Sequence, residues 1–233
     1  MVGNVIDNNA VTIAGIVDSL PVFSHEVYGE GFYNFSVNVT RLSDSFDKIP
    51  VLISERLVEK ERLKIGTIIE LEGQFRSYNN YTGEDGSRLI LIVFVRELRF
   101  LEDKSEIKNP NQIYLNGYIC KKPVYRTTPF GREITDLLLA VNRPYNKSDY
   151  IPCIAWGRNA RFSENLAVGD NVKIWGRIQS RKYQKKYSEN KVITKVAYEV
   201  SVSKMETGIE NNSSEDECAS LEKKCEANTE QFE

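Results

Sequence analysis

Apolar and polar residues alternate along much of this chain, in short runs separated by Gly, Pro, Asn and Ser. Phe35, Val37 and Val39 alternate with Asn34, Ser36 and Asn38, and Ile49, Val51 and Ile53 with Lys48, Pro50, Leu52 and Ser54. Further on, Ile69, Leu71, Gly73 and Phe75 alternate with Glu70, Glu72 and Gln74, and Leu89–Leu101 forms a long apolar run. A period of two puts successive side chains on opposite faces, so these segments predict strands. Ser54–Lys64, rich in Leu, Glu, Lys and Arg and free of Gly and Pro, predicts the one helix of this half, between the third and fourth main strands.

The pattern then repeats. An offset of 102 carries Gly15 to Gly117, Pro21 to Pro123, Gly29 to Gly131, Ile49-Pro50 to Ile151-Pro152 and Glu97 to Glu199. One inserted residue moves Gly66 to Gly169 and Gly73 to Gly176. A period of about 100 residues is the size of a small domain, too long for a solenoid repeat. The second copy has a shorter helix candidate at Asn159–Leu166. Five strands with a helix between the third and fourth predict an all-β chain of two tandem five-stranded OB-fold barrels, each with a short helix. The barrels span 8–103 and 111–205, joined by the polar linker Glu102–Asn111. Asn79–Gly86 and Lys182–Asn190 are the expected tips of the last hairpins. Residues 206–233, rich in Ser, Asn, Glu and Asp, predict a disordered acidic tail.

Charge separates the copies. The chain carries −2 formally, but residues 1–107 carry −6, residues 108–205 carry +11 and residues 206–233 carry −7. A +11 barrel beside an acidic tail suits a polyanionic partner.

The strands show where that chemistry sits. Ile151, Cys153 and Ala155 keep the core face of the third strand, while its other face changes from Lys48, Pro50, Leu52 and Ser54 to Tyr150, Pro152, Ile154 and Trp156. On the fourth strand Val172, Ile174, Gly176 and Ile178 keep the core pattern, and Glu70, Glu72 and Gln74 become Lys173, Trp175 and Arg177. Rings interleaved with Lys and Arg on an outward face are what sequence-tolerant single-strand binding requires, each stacked base being worth roughly 1–3 kcal/mol.

Leu139-Ala140-Val141-Asn142-Arg143, then Asp149–Arg158 (DYIPCIAWGR) and Gly176–Arg181 (GRIQSR), resemble the bacterial single-stranded DNA-binding proteins. The resemblance is strong over Asn111–Met205 and weaker but collinear over Asn8–Glu102. It implies that Tyr145, Tyr150, Trp156 and Tyr183 stack on bases. The first copy has Ser43, Lys48 and Ser54 at the first three positions and Asn80 or Tyr81 at the fourth, so the second copy is the expected DNA-binding one. Trp175 is a further stacking candidate. Arg143, Arg158, Lys173, Arg177, Arg181, Lys182, Lys185 and Lys186 are expected to follow phosphates, with Arg143 and Arg158 equally open to structural roles at strand ends. The family commonly uses four barrels, which a tandem chain would supply as a homodimer. Its acidic tail commonly ends in Ile-Pro-Phe and docks replication and repair proteins. This tail ends Gln231-Phe232-Glu233.

Other chemistry is sparse. There is no phosphate-binding Gly-x-x-x-x-Gly-Lys-Ser/Thr loop, and Gly29-Glu30-Gly31 reads as turn chemistry. His25 is the only histidine, and Cys120, Cys153, Cys218 and Cys225 have no Cys-x-x-Cys spacing, so neither a catalytic nucleophile pair, a cofactor nor a metal site is expected. No secretory leader or 18-residue apolar run occurs, giving no expected membrane contact and a cytoplasmic, nucleoid-associated setting. The expectation is a binder of single-stranded DNA in replication, repair or recombination, and not an enzyme. A primosome-type replication-restart adaptor and an RNA-binding protein of the same fold stay open.

Overall fold

The computed structural model describes residues 8–41, 43, 45–80, 88–188 and 191–208, without the side chains of 80, 88, 185–188 and 191–193. Of the predicted tail and hairpin tips, residues 209–233, 81–87 and 189–190 lie outside the described residues, whereas 79–80, 182–188 and 206–207, expected in the tips and the tail, continue the strands.

The first half contains β1 (Asn9–Val17), β2 (Val22–Val27), β3 (Glu30–Thr40), β4 (Phe46–Ser54), β5 (Ile68–Asn80) and β6 (Arg88–Phe100). The second contains β7 (Asn111–Ile119), β8 (Val124–Thr127), β9 (Glu133–Arg143), β10 (Lys147–Trp156), α1 (Arg158–Glu164), β11 (Asn171–Ser188) and β12 (Lys191–Thr207). In each half five strands close a ring: β1-β3-β4-β6-β5 back to β1, and β7-β9-β10-β12-β11 back to β7. These are the two expected OB-fold barrels, with β4–β6 and β10–β12 as the parallel pairs.

The repeated glycines close the rings. β1 pairs with β5 as far as Ile16 and with β3 from Ile16 onward, so two backbones crowd together beside Gly15. A Cβ on Gly15 would strike the Asn38 carbonyl oxygen, and one on Gly117 the Ala140 carbonyl oxygen. The interior follows the predicted parity: Ile49, Val51, Ile53, Ile151, Cys153 and Ala155 are all buried.

Four features depart from the sequence expectations. First, each half has a sixth strand, β2 or β8, as a hairpin on β3 or β9 at the two ends of the continuous sheet. All six residues of β2 are exposed, so no core-facing alternation marks it.

Second, the helix predicted over Ser54–Lys64 is a single 3-10 turn, Lys60–Arg62, and the second copy holds the only α-helix among the described residues. The buried residues Val58 and Leu63 are five apart and cannot share one helix face. Lys60 and Arg62 instead lie over the rings of Tyr33 and Phe100. In α1, Ala160 and Ser163 are three apart and buried together, with Leu166 a further three along.

Third, Gly73 faces Val95 whereas Gly176 faces Val202, so the second hairpin carries four more residues and Glu97 is not the counterpart of Glu199. Fourth, the face opposite the core is not all outward. Leu52 packs with Phe32, Ile92 and Phe94, and Ile154 is buried as well.

The barrels meet where β1 and β7 pair antiparallel, from Asn9↔Leu115 to Ile13↔Asn111, which makes one 12-stranded sheet. Two polar clusters flank this seam, related by the duplication. At one, Ser180 donates through its amide (2.7 Å) and hydroxyl (2.9 Å) to Asp47, and Arg41 grips the same carboxylate at 2.7 and 2.5 Å. At the other, the Ser77 amide donates to Asp149 (2.7 Å) and the Tyr150 amide donates to the Ser77 hydroxyl (2.7 Å).

Candidate nucleic-acid interface

The predicted stacking residues sit on three pieces of the second barrel. Tyr145 occupies the β9–β10 turn, where it and Asn146 take φ of 64° and 54°. Non-Gly residues are uncommon in that left-handed region. The Tyr145 ring is 95% exposed. Tyr150, on β10, rests half-buried on Cys120, Leu138 and Ala140. Trp156 ends the same strand at 37% exposure, just before Gly157 turns the chain into α1. Tyr183 lies on β11 where the long β11–β12 hairpin extends, also 37% exposed.

The cations are less uniform. Arg158, Arg181 and Lys182 are exposed, and Lys173 and Arg177 are half-buried on the outer face of β11. Arg181 Nε is 3.9 Å from Glu199, a carboxylate that also accepts from Gln179 at 2.7 Å. Lys185 and Lys186 belong to β11, with side chains outside the described residues. Arg143 points into the seam, its Nε 3.3 Å from the fully buried Asp149. Trp175 is set apart from the other rings. It packs on Tyr114 (5.2 Å between centroids) with the Lys204 ammonium 4.5 Å from its ring centre. In the first copy, Lys48 takes the place of Tyr150 and is paired with Asp18 at 2.5 Å.

The two seam aspartates differ electrostatically. Burial pushes the Asp47 carboxyl up, but Arg41 and the two Ser180 donors outweigh it and hold the group below its ordinary range. Burial pushes Asp149 up as well, and there the Ser77 amide, Arg143 and Arg76 do not bring it back.

Some exposed chemistry escapes the sequence patterns. Phe130, 91% exposed, and the fully exposed Tyr28 cap the β8–β9 and β2–β3 hairpins at equivalent positions. Each directly precedes a turn glycine, Gly131 or Gly29, with φ of 74° and 78°. An aromatic before a repeated turn glycine is the signal that could have found them. Arg76 escapes too. It lies over Phe94, 3.7 Å from guanidinium carbon to ring centre, on the first barrel beside the seam.

Comparison with known proteins places the chain. The model of the "Single-strand binding protein family" matches residues 110–206. The "Single-stranded DNA-binding protein 3" of Clostridium acetobutylicum is 32% identical over 111 residues, 45% of this chain and 76% of that protein. The chain belongs to the single-strand binding protein family. A "Single-stranded DNA-binding protein" of Clostridium tetani is 34% identical over 93 residues, 37% of this chain. The match spans 64% of that relative's length. The crystal structure of the wild-type single-stranded DNA binding protein from Thermus aquaticus superimposes with a TM-score of 0.67 at 19% identity, covering 88% of this chain and 95% of that one. That likeness extends the fold over both barrels of this family member. Among the described residues, no helix is long and apolar enough to cross a membrane.

Proposed function

We propose that this chain binds single-stranded DNA with little sequence preference and protects it during replication, repair or recombination, chiefly through the barrel spanning about 111–205. The observation that carries this reading is the outward set Tyr145, Tyr150, Trp156 and Tyr183, interspersed with Arg158, Arg181 and Lys182. Rings offer base-sized faces while cations neutralise phosphates, and neither reads sequence. Lys173 and Arg177 extend the positive strip along β11, and Lys185 and Lys186, later on the same strand, are further candidates for phosphate contact. With an ammonium over its ring, Trp175 suits packing better than base stacking. The first barrel, about 8–103, serves mainly as a structural partner. A homodimer would assemble four barrels, and the acidic tail would recruit other proteins or compete for the basic groove at low salt.

The deciding experiment is tryptophan fluorescence during titration with poly-dT, repeated across salt. Quenching that weakens as salt rises is the expected result. Tyr150→Ala with Trp156→Ala should abolish tight binding while the protein stays folded. An undiminished affinity in that double variant would refute the stacking surface. A matched RNA oligonucleotide binding more tightly than DNA would move the reading to an RNA-binding protein.

A further inference from the structure

The two flanks of the seam began as copies and have come to differ in charge. At the Asp47 flank one arginine meets one carboxylate: Arg41 binds it twice, its Nη2 also donates to the Ser180 carbonyl at 3.1 Å, and Ser180 fills one carboxylate oxygen. The residue preceding Ser180 is Gln179, neutral and already bonded to Glu199. That flank is closed and satisfied.

At the Asp149 flank the residue preceding Ser77 is Arg76, so a second guanidinium joins Arg143 beside a single carboxylate. The pairing there is incomplete. Arg143 Nε and Asp149 Oδ2 face each other at 3.3 Å as an ion pair without hydrogen-bond geometry, and Arg76 Nε is a buried atom without a hydrogen-bond partner. Arg76 has one neutral bond, from Nη2 to the Gln74 side-chain oxygen at 2.9 Å, and the Phe94 ring beneath it. Among the described residues no carboxylate lies in ion-pair contact with it. Arg143 keeps 27% of its side chain exposed, and Arg76 is half-buried, so both can be reached. Burial, then Arg143 and Arg96, push Arg76 down to about 10, and Asp149 only partly opposes them. Buried donors left unpaired are costly, and an anion would satisfy them.

We propose that Arg76 and Arg143 form a phosphate subsite at the seam, next to Tyr150, through which a single strand bound to the second barrel passes onto the first. The inference rests on the proposed DNA binding and adds a contact from the barrel that otherwise serves as scaffold. The phosphate source is the nucleic-acid backbone, because the subsite lies where the barrel proposed to bind DNA meets the first: the Tyr150 amide donates to the hydroxyl of Ser77, the residue after Arg76.

The test is the salt dependence of poly-dT binding by the full chain, read by tryptophan quenching. Compared are the unaltered protein, Arg76→Gln, Arg76→Lys, and Arg99→Gln, which removes an equal charge from the exposed Arg99–Glu70 pair. Removing one cation–phosphate pairing from single-strand binding reduces the log–log salt slope by about 0.7. Arg76→Gln should show that reduction and about tenfold weaker binding at low salt. Arg76→Lys should retain the slope, and Arg99→Gln should leave both quantities unchanged. An unaltered slope in Arg76→Gln overturns the subsite, whether or not affinity or melting temperature falls, and leaves DNA binding by the second barrel standing. Absence of quenching in the unaltered protein overturns the DNA-binding reading, and the subsite with it.

Discussion

Asp47 and Asp149 occupy equivalent positions, are both buried, and have carboxyl pKa values displaced in opposite directions, Asp47 down and Asp149 up. Asp47 has a folded pKa below its ordinary value, so it contributes stability above that value and loses it as pH falls through the folded pKa. Asp149 has a raised folded pKa, so its ionised form weighs against folding at neutral pH, and acidification relieves that weight. Urea unfolding of Asp47→Asn should therefore show a deficit against the unaltered protein that narrows below about pH 4. The deficit of Asp149→Asn should instead widen over the descent from neutral pH toward that point. Parallel behaviour of the two variants would contradict the asymmetry of the seam. At Tyr145 the ring and the backbone pull apart: φ of 64° suits glycine, but the proposed DNA contact calls for the exposed ring. Tyr145→Gly should hold or raise stability by about 1 kcal/mol while weakening poly-dT binding, the two readouts moving oppositely. A loss of both would show that the ring supports the fold. The exposure of Tyr145 and Trp156 was legible from family position and strand parity. Arg76 was not, because a lone arginine following Glu70, Glu72 and Gln74 on an otherwise acidic and polar face carries no basic pattern, and only the fold brings it to Arg143.

At the scale of elements, the repeated glycines record where two backbones must approach the same residue. Gly117 lies in β7 just before that strand leaves β11 for β9, and a methyl group there meets the Ala140 carbonyl. Gly117→Ala should destabilise by about 1–3 kcal/mol, as overpacking does, and lower the denaturant midpoint. A midpoint within experimental scatter of the unaltered protein would mean that the strand shifts at no cost. These glycines, the strand alternation and the parity of the core were readable along the chain because each follows from one residue's own geometry. Helix placement was not, since Ser54–Lys64 has the better composition for a helix and Asn159–Leu166 the better spacing of buried positions. Tertiary burial overrides propensity here. Strands β2 and β8 leave no mark in the pattern because a solvated edge hairpin has no core to impose alternation.

The whole molecule is two barrels joined by a seam that is self-complementary in kind. β1 meets β7 antiparallel, and each barrel offers the other a serine on its fifth strand and receives an aspartate from its fourth: Ser180 to Asp47 and Ser77 to Asp149. The second barrel therefore carries both halves of the contact, Asp149 and Ser180, on its own surface. An interface of this form is isologous, as in a twofold dimer. Separated from the first barrel, residues 108–208 would expose the β7 edge, and a bare edge strand seeks a partner. Its best partner is a second β7, with Ser180 of each copy donating to Asp149 of the other. Light scattering of this fragment should give the mass of two copies, and Asp149→Ala should shift it toward one. The arginine balance would then be Arg143 alone at each flank, because Gln179 and not Arg76 precedes the serine. A folded monomer of residues 108–208 would show that the seam depends on residues peculiar to the first barrel. A dimer would show instead that the tandem chain is a twofold assembly with a tether, free to alter one flank without altering the other.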